Sequence, residues 1–291
     1  MNPSNDICKD CYKRRPNKRK ALEHIFTKAK PNINLLSKPF IYLTLGAEEL
    51  LDVIDLMEVC YFEDIKKIYS FEKLHQKVER AEECLVTKIF NKWHRNSAYR
   101  NKVEIIEKAF PRGLSKILTK ENTKSKIYFF DDTGWFDEKD AEMLCDLLKN
   151  DLIINNDIFL ITTSVGDYGW FPIKHKAITQ FSRYFYGKME EKDIDEKIVR
   201  DNIVDLYVDF ALKLYNEFDR RTNGSKRQFM VEFLGKVKYQ DENHTTMGLW
   251  AYRFLIGNKR LEIPTNFDLS YIHGLGPQIF ININRNDKIS S

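Results

Sequence analysis

The residues best placed to do chemistry stand at the ends of short apolar runs. Phe40-Ile-Tyr-Leu-Thr-Leu45 reads as a strand that meets Gly46, and a helical pattern starts at once with Ala47. A second strand, Lys67–Glu72, ends in an acid. Strand, glycine turn, helix, strand, acid is the order in which doubly wound α/β folds build nucleotide-type cofactor sites. Asp131 and Asp132 close a further strand, Ser125–Asp131, where open α/β sheets place their ligands. Their adjacency excludes the phosphatase-type Asp-x-Asp-x-Thr arrangement. Cys8-Lys-Asp-Cys11 is half of a tetrahedral zinc site, and two more ligands would be needed. No second Cys-x-x-Cys follows and His24 is the nearest histidine, so two thiols in a mobile arm is the simpler reading.

The elements that must position these residues alternate. After Phe40–Gly46 come a helix over Ala47–Val59, the strand Lys67–Glu72, and a long helix over Leu74–Trp93 with Val78, Ala81, Leu85 and Ile89 at helical spacing. Lys102–Ala109 reads as the third strand, Ser125–Asp131 as the fourth, Glu138–Asn150 as an amphipathic helix and Ile158–Ser164 as a buried fifth strand. Strands spaced by helices in this way argue a doubly wound, mostly parallel sheet with helices on both faces. An aromatic stretch, 168–186, interrupts the rhythm. Asp193–Arg220 is a long helical stretch, and Arg227–Tyr239 and Met247–Ile256 form a C-terminal antiparallel hairpin. Residues 1–38 read as a basic N-terminal arm with a short helix near Lys18–Lys28, 39–260 as the α/β domain and 261–291 as a C-terminal extension.

Composition bounds the rest. The chain has 291 residues, 43% hydrophobic and 31% charged, which suffices for a full core without staples. No apolar run spans a bilayer and the N-terminus has no apolar signal region, so no membrane association is expected. Five scattered cysteines suit a reducing cytoplasm rather than a disulfide framework. The net charge is +4, yet residues 1–30 hold nine Lys/Arg against Asp6, Asp10 and Glu23, a balance of +6 that leaves about −2 for the remainder. The basic residues between 9 and 30 could hold nucleic acid through its phosphates, or an anionic protein surface. With only Tyr12 and Phe26 among them, they offer no stacking platform.

Alternating β/α units, a long helix and a final antiparallel hairpin resemble the class I S-adenosylmethionine-dependent methyltransferases over roughly residues 38–260. The resemblance implies that Leu45, Gly46 and Ala47 form the turn against the cofactor's amino-acid end, where only a small residue permits close backbone approach. It implies that Glu72, 26 positions after Gly46, accepts from the ribose hydroxyls. Ala109 and Phe110 would border the adenine. Asp131, Asp132, Thr133 and Gly134 would form the lip facing the methyl group and the acceptor, with Trp135 or Phe136 as a stacking wall.

The chain also departs from that family. Its acid-x-Gly-x-Gly-x-Gly pattern becomes Tyr42-Leu-Thr-Leu-Gly46-Ala-Glu48, and Glu48 and Glu49 head the expected helix. Those acids suit a helix dipole but repel phosphate, which disfavours a dinucleotide. The Pro-Pro-aromatic tetrad and the Pro-Cys nucleophile of nucleic-acid methyltransferases are absent. The expected activity is methyl transfer to a macromolecular acceptor, nucleic acid or protein, with S-adenosylmethionine as cofactor and Asp131 or Asp132 orienting the acceptor or taking its proton. Two alternatives stand beside it. One is a non-catalytic interaction subunit with an eroded cofactor site, and the other a metal-dependent nucleotide- or nucleic-acid-processing enzyme using the 131–132 acids. The oligomeric state is not legible.

Overall fold

Strands β1 (Phe40–Leu45), β2 (Ile65–Glu72), β3 (Val103–Glu107), β4 (Lys126–Asp131) and β5 (Ile158–Ser164) are short runs rich in Ile, Phe and Tyr, and β1, β4 and β5 are buried on both faces. Such runs suit a parallel sheet covered by helices. In the computed structural model the described residues are 16–45, 50, 52–53, 56, 62–72, 75–84, 101–107, 114, 123–131, 135–166, 200, 203–222, 228–240, 245–257 and 279–280. Strands β1 to β5 pair in parallel in the order β3-β2-β1-β4-β5. The long strands β6 (Gln228–Gln240) and β7 (Thr246–Gly257) follow, with β7 antiparallel to both β5 and β6. A two-residue strand, β8 (Ile279–Phe280), adds in parallel to β6 and completes an eight-stranded sheet.

Period-two alternation sends side chains into two cores. One face carries Leu43, Phe71, Tyr128, Phe130, Phe159, Ile161, Trp250 and Phe254. It is covered by α3 (Glu138–Lys149) and α4 (Ile203–Thr222), which pack on one another. Tyr128 and Phe159 stack at 4.3 Å. Asp137 caps α3 with a capping box completed by Asp140, which fixes where the chain turns after β4. The other face carries Phe40, Tyr42, Ile68, Ile127, Phe129, Leu160, Val237 and Leu249. It is covered by α1 (Pro16–Ile33). A further helix, α2 (His75–Cys84), follows β2.

Several expectations need correction. The short arm helix is an 18-residue helix that begins at Pro16 and includes Pro31 in its last turn. It is not a free arm, because Ala21, Leu22, Ile25, Phe26, Ala29 and Ile33 form one buried stripe. The helix expected over Ala47–Val59 does not run through Leu50. Leu50 has φ 48° and lies outside it, and the helical residues described there are Asp52, Val53 and Leu56. Phe136 is no stacking wall but a core residue 6.2 Å from Tyr207, and Trp135 packs half-buried on the same core. The third strand is described over Val103–Glu107, within the expected Lys102–Ala109. Cys8, Cys11 and the aromatic stretch 168–186 lie outside the described residues.

Candidate functional site

The face covered by α1 changes character toward the carboxyl ends of the parallel strands. Tyr42 is followed two residues later by Thr44, Ile68 by Ser70 and then Glu72, Phe129 by Asp131, and Leu160 by Thr162 and then Ser164. The opposite face carries Leu45, Phe71 and Phe130 at the same level, and its one buried hydroxyl there among the described residues, Thr163, accepts from the Phe136 N–H at 2.7 Å. A row of hydroxyls and carboxylates at this edge of an open α/β sheet is where such folds bind ligands.

At its centre Tyr42 Oη donates to Asp52 Oδ2 at 2.8 Å. Thr44 also hydrogen-bonds Asp52. Burial raises the pKa of Asp52, and the Asp131 charge adds to the rise. The ring of Tyr42 is fully buried, and its phenol is held far above the usual range by burial and by Asp52. Lys18, in the first turn of α1, forms an ion pair with Asp131 Oδ2, both side chains being 10% exposed. It is the one hydrogen-bond or ion-pair partner of Asp131 among the described residues. Thr162 stands beside Asp131 in register, and Ser70 beside Thr44. The hydroxyls of Ser70, Thr162 and Ser164 are buried without a hydrogen-bond partner among the described residues. Orphaned buried hydroxyls cost free energy unless something else supplies their partner.

Toward the sheet edge, Glu72 is half-buried at the end of β2 and pairs in register with Glu107 at the end of β3. His75, opening α2, lies 3.0 Å from Glu107 through Nδ1 and 3.6 Å from Glu79 through Nε2. The hydrogen bond and charge of Glu107 raise the His75 pKa, so the ring favours its cationic form beside these acids.

Of the expected site residues, Glu72 and Asp131 end strands on the face covered by α1, whereas Leu45, at the end of the strand between them, packs on the opposite face. Gly46, Ala47, Ala109, Phe110 and Asp132 lie outside the described residues. Sequence reasoning missed Lys18, Asp52, Thr162 and Ser164. The change from apolar to hydroxyl side chains along Ile158–Ser164 was the available signal for the last two. Lys18 had none, since its partner is 113 residues away. Among the described residues no three His, Cys, Asp or Glu side chains gather as a metal site, and no helix is long and apolar enough to cross a membrane.

No family model and no curated protein matches the chain. Among solved structures it is similar to Trm5b from Pyrococcus abyssi, with 11% identity over 79% of this chain and 48% of that one, at a TM-score of 0.37. It is similar to P. horikoshii TYW2 in complex with MeSAdo, with 9% identity over 78% of this chain and 62% of that one, at a TM-score of 0.40. It is also similar to precorrin-6y C5,15-methyltransferase from Geobacter metallireducens, with 10% identity over 77% and 86%, at a TM-score of 0.39. The chain thus spans about half to two thirds of the length of the first two (48% and 62%).

The sheet defines the class. Parallel order 3-2-1-4-5 is shared with dinucleotide-binding folds, whose sixth strand follows directly. Here an antiparallel β7 stands between β5 and β6. The fold is therefore α/β, mostly parallel with a C-terminal antiparallel pair.

Proposed function

We propose that this chain is an S-adenosylmethionine-dependent methyltransferase acting on a macromolecular acceptor. The observation that carries the reading is the carboxyl edge of this sheet, where Glu72, Asp131 and three buried hydroxyls with no hydrogen-bond partner among the described residues stand at the ends of β2, β4 and β5. A carboxylate at the end of β2 suits vicinal ribose hydroxyls. The buried Ser70 hydroxyl beside it suits a polar ligand. In this reading Leu45, Gly46 and Ala47 hold the cofactor's amino-acid end, Glu72 the ribose, and Ala109 and Phe110 border the adenine. The cofactor supplies a methyl group activated on a sulfonium. The protein contributes positioning, with Asp131 or Asp132 orienting the acceptor or taking its proton. Calorimetric titration with S-adenosylmethionine and its demethylated product tests this. Micromolar binding by the wild type, weakened at least about tenfold in Glu72→Ala, is expected. No binding by the folded wild type overturns it.

A second reading, a non-catalytic interaction module, is favoured by one observation. Asp131, the carboxylate assigned to the acceptor, already holds a partner in Lys18. Under that reading the titration is silent. The basic residues 9–30 remain our candidate surface for nucleic acid or an anionic protein, although Lys18 is spent inside and Arg19 pairs with Glu23. Phosphate binding there would weaken with salt, with a slope of about −0.9 per contact on duplex DNA. A reducing cytoplasm is the compartment we propose, in keeping with the free, buried Cys145.

A further inference from the structure

The acid at the end of β4 is met by an ammonium group that the chain supplies to itself. Lys18 is buried along its stem as well as at its head, the whole residue being 8% exposed. Its place is fixed by the packed stripe of α1 and by Asn17 Nδ2, which donates to the Gln240 carbonyl at 2.8 Å. The surroundings of the head are rich in acceptors. Asp131 binds it directly, the Asp52 carboxylate is within its electrostatic reach, and Thr162 stands next to Asp131 on the neighbouring strand. The Thr162 and Ser164 hydroxyls, both more than nine-tenths buried on this face, have no hydrogen-bond partner among the described residues. An ammonium offers three donors. Without Lys18, the Asp131 carboxylate would be left largely buried beside Asp52 with no cation among the described residues to balance it.

We propose that Asp131, Asp52 and Thr162 form an alkylammonium subsite that Lys18 closes in cis, and that its ligand in trans is a primary amine on a straight aliphatic stem, the chemistry of a lysine side chain. Its bearing on the acceptor, which would then be a protein lysine rather than a nucleic-acid base, rests on the methyltransferase reading. The subsite itself does not.

The test is titration of the full chain with n-butylammonium chloride, without cofactor and against sodium chloride at matched ionic strength. Lys18→Ala should bind n-butylammonium at least about tenfold more tightly than the wild type. Lys18→Ala combined with Asp131→Asn should lose that gain. Equal affinity in Lys18→Ala and wild type, or a gain that survives loss of the Asp131 charge, overturns the subsite. Should Lys18→Ala fail to fold, recovery of folded protein in n-butylammonium but not in sodium supports it, and failure in both overturns it. Because no cofactor is present, a chain indifferent to S-adenosylmethionine can pass this test, and one that binds it can fail.

Discussion

Asp157 and Lys126 form a fully buried pair at the opposite edge of the sheet from the candidate site. Asp157 accepts from the backbone N–H of Lys126 at 2.7 Å and of Ile154 at 2.9 Å, and Lys126 Nζ lies 3.5 Å from its carboxylate. Burial pushes the acid up to about 7 against the attraction of Lys126, and the same burial lowers the lysine. A folded acid that keeps its proton where the unfolded one releases it contributes stability at low pH. That contribution is fully present below pH about 4 and is lost as the pH rises through about 7. Asp157→Asn should therefore flatten the decline in stability across that window, read by denaturant titration at stepped pH. An unchanged slope would show that Asp157 titrates as it does when unfolded. A comparable set surrounds Asp205, which accepts from Trp250 Nε1 at 3.1 Å and from the Tyr252 hydroxyl, with Lys236 3.7 Å away. Here the lysine also stands 4.6 Å from the Trp250 ring.

α1 joins the N-terminal segment to the core and carries Lys18 to the site. Phe26 is fully buried between the helix and the sheet. Phe26→Ala should cost about 3–5 kcal/mol of stability, as aromatic truncations in packed cores do. A loss under about 1 kcal/mol would mean the helix is dispensable to the fold. β7 makes a different demand. Gly248 lies two residues before Trp250 on the same face, and a Cβ there would run into the indole. Gly248→Ala should destabilise by about 1–3 kcal/mol, the usual cost of overpacking. Unperturbed melting of that variant would mean the indole can move aside. The capping box of α3 is legible from Asp137-Glu-Lys-Asp140 alone, because caps use neighbours in the chain. The reach of α1 is not, because Pro16 and Pro31 look like brackets although one suits a first turn and the other is carried by packing.

For the molecule as a whole, the cofactor reading has a thermal consequence. A ligand at about a hundred times its Kd adds about 2.7 kcal/mol to stability. For a chain of this size S-adenosylmethionine should raise the melting midpoint by about 4–5 °C. Glu72→Ala should abolish most of that rise while melting near the wild-type temperature alone, because Glu72 is a half-buried strand-end residue rather than a core one. A rise of equal size in the variant would remove Glu72 from the site.

The sequence by itself determined the alternation of strands and helices, the buried character of β5, the final hairpin and the carboxylates that end β2 and β4. All of these are written in local periodicity and in the residue that follows each apolar run. Only the tertiary structure decided that β7 enters between β5 and β6, that the basic N-terminal segment carries a core helix, and that Lys18 rather than solvent faces Asp131. Strand order and long-range ion pairs depend on how distant segments bury their apolar faces together, and no spacing along the chain encodes a contact across 113 residues.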